Sequence, residues 1–329
     1  NRAGVPLMEL VTEPDVKTGA EAKEFGEELQ LLFRYLDVSG ADMEKGQLRV
    51  EANISLSASA DQRGLDSAIL GTKVEIKNLN SFKACERAID YEIKRQAEVL
   101  ERGDEVAQET RGWDENKAET FSQRTKEESH DYRYFPEPDL PPVRLDKAQI
   151  DYIKQELPEL PAARRDRFVR EYGITEKDSE VFTVERALGD YFEKVASELA
   201  DWLESQGPID KNSRQKLVKL SANYLITELQ KLLAESKTGL SDLKISAENF
   251  AELIVLIHQG KISSSAAQTI LAEMFKIGID PSQILESKGL EQLSDSEALK
   301  KSAQEVIAAN PKAAADYKKG KVESLKFLV

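Results

Sequence analysis

Residues 47–57 alternate between polar and apolar side chains without a break. The apolar positions are Leu48, Val50, Ala52, Ile54 and Leu56, and the polar ones include Arg49, Glu51, Asn53, Ser55 and Ser57. Because successive side chains of a strand point to opposite faces, this pattern predicts a β-strand with one apolar and one polar face. A second run over 73–77 sets Val74 and Ile76 against Lys73, Glu75 and Lys77. The sequence therefore predicts a sheet with one charged face.

The polar faces of these two strands carry carboxylates that suit a divalent metal ion. If the strands are neighbours, Glu51 and Glu75 share one surface, and Glu9 is a possible third ligand. Proteins commonly hold Mg²⁺ through one or two carboxylates together with water and substrate phosphates. A solvated sheet face with cross-strand Glu–Lys pairs explains the same pattern, and the residues alone leave both interpretations open.

Cations and amides accompany these acids. Arg49, Lys73 and Lys77 are candidates for binding phosphate, because phosphoryl transfer needs positioning and charge neutralisation more than covalent chemistry. Ordinary ion pairing is the alternative. Three amides can orient a substrate carboxylate or a ribose, or can cap turns and the helix that follows; they are Asn53, Asn78 and Asn80.

Composition limits the class of protein. The chain has 329 residues, enough for two or three domains, and a net charge of −14, which excludes a dominant basic surface for nucleic acid. Its single cysteine, Cys85, excludes a disulfide framework within the chain. We find no membrane span or signal peptide, so we expect a cytoplasmic protein, or one of an organelle interior, that does not act on membranes. The absence of an initiator Met and the apolar last residues predict a fragment.

Residues 1–144 mix strands and helices. The expected elements are a strand at Leu7–Val11, a helix opened by a capping box of Thr18 and Glu21, the two alternating strands, a long helix closing at Gly103 and a hairpin over 105–125. After residue 144 no strand is predicted. We expect a helical domain over 145–243 and a small helical tail domain over 244–329.

An aromatic segment precedes the second domain. Tyr132, Arg133 and Tyr134 lead into a stretch with four prolines between Pro136 and Pro142, which favours an extended path. Aromatic rings interleaved with arginine can stack on a base or on the terminal adenosine of an RNA. The same side chains can instead bury themselves and fix one domain to the next, and both possibilities remain open.

Several common catalytic motifs are missing from the sequence. It has no Gly-rich Lys-Ser/Thr phosphate loop, no dinucleotide Gly fingerprint and no His pair at metal spacing. Cys85 lies on the apolar face of a predicted helix, which favours a buried thiol over a nucleophile. We therefore expect no machinery of its own for releasing ammonia from glutamine.

Five stretches resemble, in order, the GatB family of aspartyl/glutamyl-tRNA(Asn/Gln) amidotransferase subunits. They are NRAGVPLMELVTEPD, GQLRVEANISL, TKVEIKNLNSF, QETR and DYRYFPEPDLPP. The resemblance covers essentially all of the chain, without the family's opening segment and the end of its tail. It implies an α+β fold: part of an antiparallel-sheet cradle domain like that of glutamine synthetase and guanido kinases, then an all-α domain and a YqeY-like helical tail.

The resemblance also implies an activity. Family members use ATP and Mg²⁺ to phosphorylate the side-chain carboxylate of Glu-tRNA(Gln) or Asp-tRNA(Asn), and ammonia then replaces the phosphate to give Gln-tRNA or Asn-tRNA. The ammonia comes from the amidase (glutaminase) subunit of the enzyme, and a third, small subunit completes a heterotrimer. By this resemblance the metal ligands are Glu9, Glu51 and Glu75, the catalytic residues are Arg49, Lys77 and Asn78, and the tRNA 3′ end meets Asn53, Asn80, Tyr132, Arg133 and Tyr134.

Two other functions fit the same residues. One is a small-molecule ATP:carboxylate ligase whose helices serve oligomerisation. The other is a non-catalytic adaptor whose helices bind RNA or protein and whose sheet no longer catalyses a reaction. The sequence does not distinguish Glu-tRNA from Asp-tRNA as the substrate.

Overall fold

The computed structural model describes residues 5–56, 70–125, 138–139, 141–206, 211–291 and 304–321. The chain divides into two compact units, Asn1–Pro161 and Ala162–Val329. The predicted aromatic segment, with Tyr132, Arg133 and Tyr134, lies outside the described residues.

The first unit is a mixed α+β domain. Its elements are α1 (Gly19–Tyr35), β1 (Val50–Ile54), β2 (Val74–Leu79), α2 (Phe82–Glu101), β3 (Glu109–Asp114), β4 (Glu119–Thr125) and α3 (Lys147–Gln155). Thr18 caps α1 by accepting a hydrogen bond from the Glu21 backbone, as its sequence pattern predicts. The predicted strand at Leu7–Val11 is wrong, because residues 5–13 pair with none of the strands that the structure describes and Leu7 is 93% exposed.

The four strands form one sheet in the order β1-β2-β3-β4. β1 and β2 are antiparallel, β2 and β3 are parallel, and β3 and β4 are antiparallel. The expected antiparallel sheet is therefore wrong at its central pair. The 20-residue helix α2 connects β2 to β3, and a crossover of that length allows two neighbouring strands to run in the same direction.

The core of the first unit lies between the sheet and α2. Ala52, Ile54 and Ile76 are buried against Ala88 and Ile89 of the helix, so the apolar faces predicted by alternation do point inwards. β1 is shorter than the predicted run. Residues before it form a turn closed by a hydrogen bond of 2.8 Å from the Gln47 amide to the Asp42 carbonyl, and a backbone in a turn cannot join the strand ladder.

The described residues of the second unit form helices and connecting loops, with no strand among them. Its α-helices are α4 (Pro161–Arg167), α5 (Glu176–Val184), α6 (Arg186–Ser205), α7 (Lys211–Tyr224), α8 (Gln230–Ser236), α9 (Ala247–His258), α10 (Ser264–Ile277), α11 (Pro281–Lys288) and α12 (Pro311–Lys318). Ser246 and Asp280 cap α9 and α11 by accepting hydrogen bonds from backbone amides of the first helical turn.

One hydrophobic cluster extends across the predicted boundary at residue 243. Phe192 and Leu225 before it belong to the same cluster as Phe250 and Ile254 after it. The Tyr191 hydroxyl also donates a hydrogen bond of 3.1 Å to the Ile245 carbonyl. The structure thus divides the chain into two units near residue 161, where the sequence predicts three domains divided at 144 and 243. The sequence of an amphipathic helix shows which face is apolar, but it does not show which other helices pack against that face in the same core.

Candidate functional site

An acid–lysine cluster lies on the face of the sheet that points away from α2. The Lys77 Nζ is 3.4 Å from a Glu51 carboxylate oxygen and 3.4 Å from Glu75 Oε1. Burial lowers the pKa of Lys77, but the two carboxylates outweigh that effect and raise it overall, so the amine is firmly protonated. We call Glu51, Glu75 and Lys77 the acid–lysine cluster.

Strand register brings the three side chains of this cluster together. Ala52 is paired with Ile76, and both point inwards, so the neighbouring Glu51, Glu75 and Lys77 point outwards. An irregularity in the pairing between Val50 and Ala52 falls at Glu51 itself. Such irregularities commonly redirect a side chain beside a functional site.

Thr110 holds one member of the cluster and is a residue that the sequence analysis missed. Thr110 and Glu75 are direct partners on the parallel strands β2 and β3, and Thr110 Oγ1 donates a hydrogen bond of 2.9 Å to Glu75 Oε2. Thr110 is 2% exposed. The residue stands within the QETR stretch, but its role depends on a strand pairing that no local pattern predicts.

The remaining predicted site residues occupy different positions around the cluster. Asn53 is opposite Glu75 in the register and is exposed on the same face. Arg49 and Lys73 are exposed, one residue before β1 and β2 respectively. Lys77 is thus the predicted cation whose amine forms ion pairs with both Glu51 and Glu75.

Asn78 and Asn80 lie where β2 ends and α2 begins. Asn78 has a positive φ of 65°, a left-handed conformation that asparagine adopts more readily than most residues. Both asparagines line an open pocket of about 370 Å³, whose other lining residues are Ser81, Ala84, Trp113, Asp114, Glu115 and Phe121.

The expected three-carboxylate metal site is not present as such. Within the part of the chain that the structure describes, no three His, Cys, Asp or Glu side chains form a group that could hold a metal ion. Glu9 stands in the exposed segment before α1, and it forms no such three-residue group with Glu51 and Glu75. The two remaining acids still fit Mg²⁺, which often takes only one or two protein carboxylates.

The fold and the site together define a class: a two-unit protein with an α+β domain that carries an acid–lysine surface, followed by an all-helical unit. Two family models match the chain, the GatB/GatE catalytic domain over residues 1–151 and the GatB domain over residues 209–329. The chain belongs to the GatB family.

Relatives are similar along all 329 residues. The chain is 44% identical to the GatB subunit of the aspartyl/glutamyl-tRNA(Asn/Gln) amidotransferase of Carboxydothermus hydrogenoformans, and 42% and 44% identical to the same subunit from Thermoanaerobacter sp. and Persephonella marina. It spans 64–65% of the length of these relatives. No described helix is long and apolar enough to cross a membrane.

Proposed function

We propose that this chain is the kinase–transamidase part of the GatB subunit of an aspartyl/glutamyl-tRNA(Asn/Gln) amidotransferase and acts in the cytoplasm. The relatives that carry this subunit name align with all 329 residues of the chain. The observation that supports the chemistry is the placement of the protonated Lys77 amine between Glu51 and Glu75 on a solvent-facing sheet. Two acids and a cation on one rigid surface suit a magnesium-bound triphosphate.

The cluster is available to a ligand. The side chains of Glu51 and Lys77 are 48% and 36% exposed, and ion pairs at such positions stabilise a fold by only about 0–1 kcal/mol. A ligand can therefore separate them at little cost. In this proposal Glu51 and Glu75 hold Mg²⁺, which supplies charge neutralisation to the phosphates, and Thr110 keeps the Glu75 carboxylate oriented.

The proposed reaction has two steps. A side-chain carboxylate oxygen of Glu-tRNA(Gln) or Asp-tRNA(Asn) attacks the γ-phosphorus of ATP, which gives an acyl phosphate and ADP. Ammonia then attacks the acyl carbon and inorganic phosphate leaves, because phosphate is a far better leaving group than an oxide ion. Lys77, with Arg49 and Lys73 at the strand entries, neutralises charge on the transferred group. Asn53, Asn78 and Asn80 orient the substrate.

The proposal includes partners. The ammonia comes from the amidase subunit, the small third subunit completes the heterotrimer, and the helical unit contacts tRNA(Gln) or tRNA(Asn). The net charge of −14 argues for recognition of tRNA by shape over a small area rather than by a broad basic surface.

The test is Glu75→Gln in the full-length protein within the assembled complex. We expect loss of ATP-dependent amidation while glutamine hydrolysis by the amidase partner continues, because the variant removes a carboxylate charge from the sheet and leaves the amidase untouched. Glu86→Gln on α2, a partly exposed acid paired with Lys23 at 3.7 Å, is the matched control. Normal amidation by Glu75→Gln would contradict the proposal.

A further inference from the structure

The proposed chemistry uses Asn78 and Asn80 of the open pocket to orient the substrate, but it gives no role to Phe121, which also lines that pocket. The pocket begins where the acid–lysine cluster ends, because Lys77 is followed directly by Asn78 in the chain. Lys77 is also paired in register with Gly112, and Gly112 with Phe121, so the three residues form one row across β2, β3 and β4. A molecule bound at Lys77 can therefore extend into this pocket.

An aromatic ring is held over the sheet in that row. Phe121 is 44% exposed on the sheet surface. A Cβ atom at Gly112 would come within 2.6 Å of the Phe121 ring and 2.5 Å of Gln123 Nε2. The glycine thus leaves the space in which the ring lies against the strand, with its other face open to a ligand.

The pocket also contains polar groups in fixed positions. The Glu115 carboxylate accepts hydrogen bonds from Trp113 Nε1 at 2.6 Å and from Arg87 at 2.5 Å, and the Arg87 guanidinium lies over the Trp113 ring. Asn78 and Asn80 are exposed at its edge. These side chains offer a flat apolar platform, amides and a carboxylate within one depression.

Charge indicates which part of a ligand the pocket takes. Asp114 and Glu115 in its lining disfavour a phosphate group, whereas Lys77 beside it favours one. A ring that stacks on Phe121, hydroxyls that donate to a carboxylate and a base edge that pairs with amides are the features of a nucleoside. We propose that this pocket binds the nucleoside part of a ligand whose phosphates lie at Lys77.

The inference rests on the proposed function, which supplies two sources of the same chemistry: the adenosine of ATP and the terminal adenosine of the charged tRNA. The experiment compares Phe121→Ala and Phe121→Trp in the assembled complex that contains the full-length protein. Phe25→Ala is the matched control, since Phe25 is 41% exposed on α1. Measured quantities are the Kd values of ATP and of inorganic tripolyphosphate, and the KM for charged tRNA.

Base–aromatic stacking predicts that Phe121→Ala weakens binding of the correct ligand at least about fivefold and that Phe121→Trp restores it. A weaker Kd for ATP with an unchanged Kd for tripolyphosphate assigns the pocket to the nucleotide. A raised KM for charged tRNA with ATP unaffected assigns it to the terminal adenosine. If Phe121→Ala changes neither value, or changes tripolyphosphate equally, the inference is wrong. Glu75→Gln tests the proposed function separately, because it leaves the pocket intact.

Discussion

Thr110 and Glu75 lie side by side on adjacent parallel strands, joined by a hydrogen bond of 2.9 Å from the threonine hydroxyl to the carboxylate. The bond uses Glu75 Oε2, while Oε1 faces Lys77 at 3.4 Å. A buried hydroxyl therefore sets the direction of an acid that we assign to magnesium.

Replacement of Thr110 by Val should reduce amidation and raise the Mg²⁺ concentration needed for half-maximal rate, because Glu75 loses the group that orients it. Thr110→Ser keeps the hydroxyl and should restore both values. The measurement is the initial amidation rate of the complex against Mg²⁺ concentration. A control variant at Thr120 separates an effect on the orientation of Glu75 from an effect on the stability of the fold. Thr120→Val removes a buried hydroxyl that donates to Glu92 on the opposite face of the sheet.

Both valine variants should lower the free energy of unfolding by about 1–3 kcal/mol, the usual cost of an unsatisfied buried partner. Only Thr110→Val should change the Mg²⁺ dependence. An equal change in both variants would mean that Thr110 acts through stability alone.

The buried carboxylate of Glu92 should be essential to the first unit. It is fully buried and accepts hydrogen bonds from Arg95, Gln96 and Thr120. We expect Glu92→Gln to cost about 3–5 kcal/mol, because it breaks a fully buried carboxylate away from the partly buried Arg95 guanidinium, to which it is bonded through both oxygens. Glu86→Gln, on the same helix and partly exposed, should cost at most about 1 kcal/mol. Denaturant unfolding of both variants measures the difference, and similar losses would contradict the role of Glu92.

Glu109 should make the first unit sensitive to acid. Desolvation raises the pKa of Glu109, but hydrogen bonds from Ser122 and Arg111 outweigh it and lower the pKa below the ordinary carboxyl value. A lowered folded-state pKa contributes stability above the ordinary value of about 4.3, and that contribution is lost as pH falls through the folded-state pKa.

Glu109→Gln should therefore lower the free energy of unfolding at pH 7 and make its decline with falling pH, below the ordinary carboxyl pKa of about 4.3, less steep. Ser122→Ala removes one of the two donors and should produce a smaller change of the same sign. The measurement is the free energy of unfolding as a function of pH. An acid limb identical to that of the parent protein would show that Glu109 is not the group that titrates there.

Cys85 should be unreactive in the folded protein. Burial raises the pKa of its thiol to about 11. At pH 8 only about one thiol in a thousand is then ionised, and the thiolate is the reactive form. We expect no labelling by a thiol reagent until denaturant is added, followed by labelling at the peptide that contains Cys85. Rapid labelling under native conditions would contradict the burial.

Sequence patterns predicted local structure well in particular places. Alternation over 73–77 identified which side chains of β2 face the core, since a strand's geometry fixes that relation within a few residues. Capping residues such as Thr18 marked helix starts, because a cap acts through its own next turn. The Leu7–Val11 segment failed, because an apolar stretch becomes a strand only when another strand pairs with it.

The same distinction between local patterns and long-range contacts applies to the candidate site. The sequence by itself determined that Glu51, Glu75 and Lys77 belong to the polar faces of two strands, because the two-residue period of a strand is a local property. Tertiary structure alone decided that Lys77 lies between both acids, that Glu9 stands apart, that Thr110 supports Glu75 and that Phe121 lies over Gly112. Partner, direction and register of a strand depend on contacts between residues distant in the chain, and no local period encodes them.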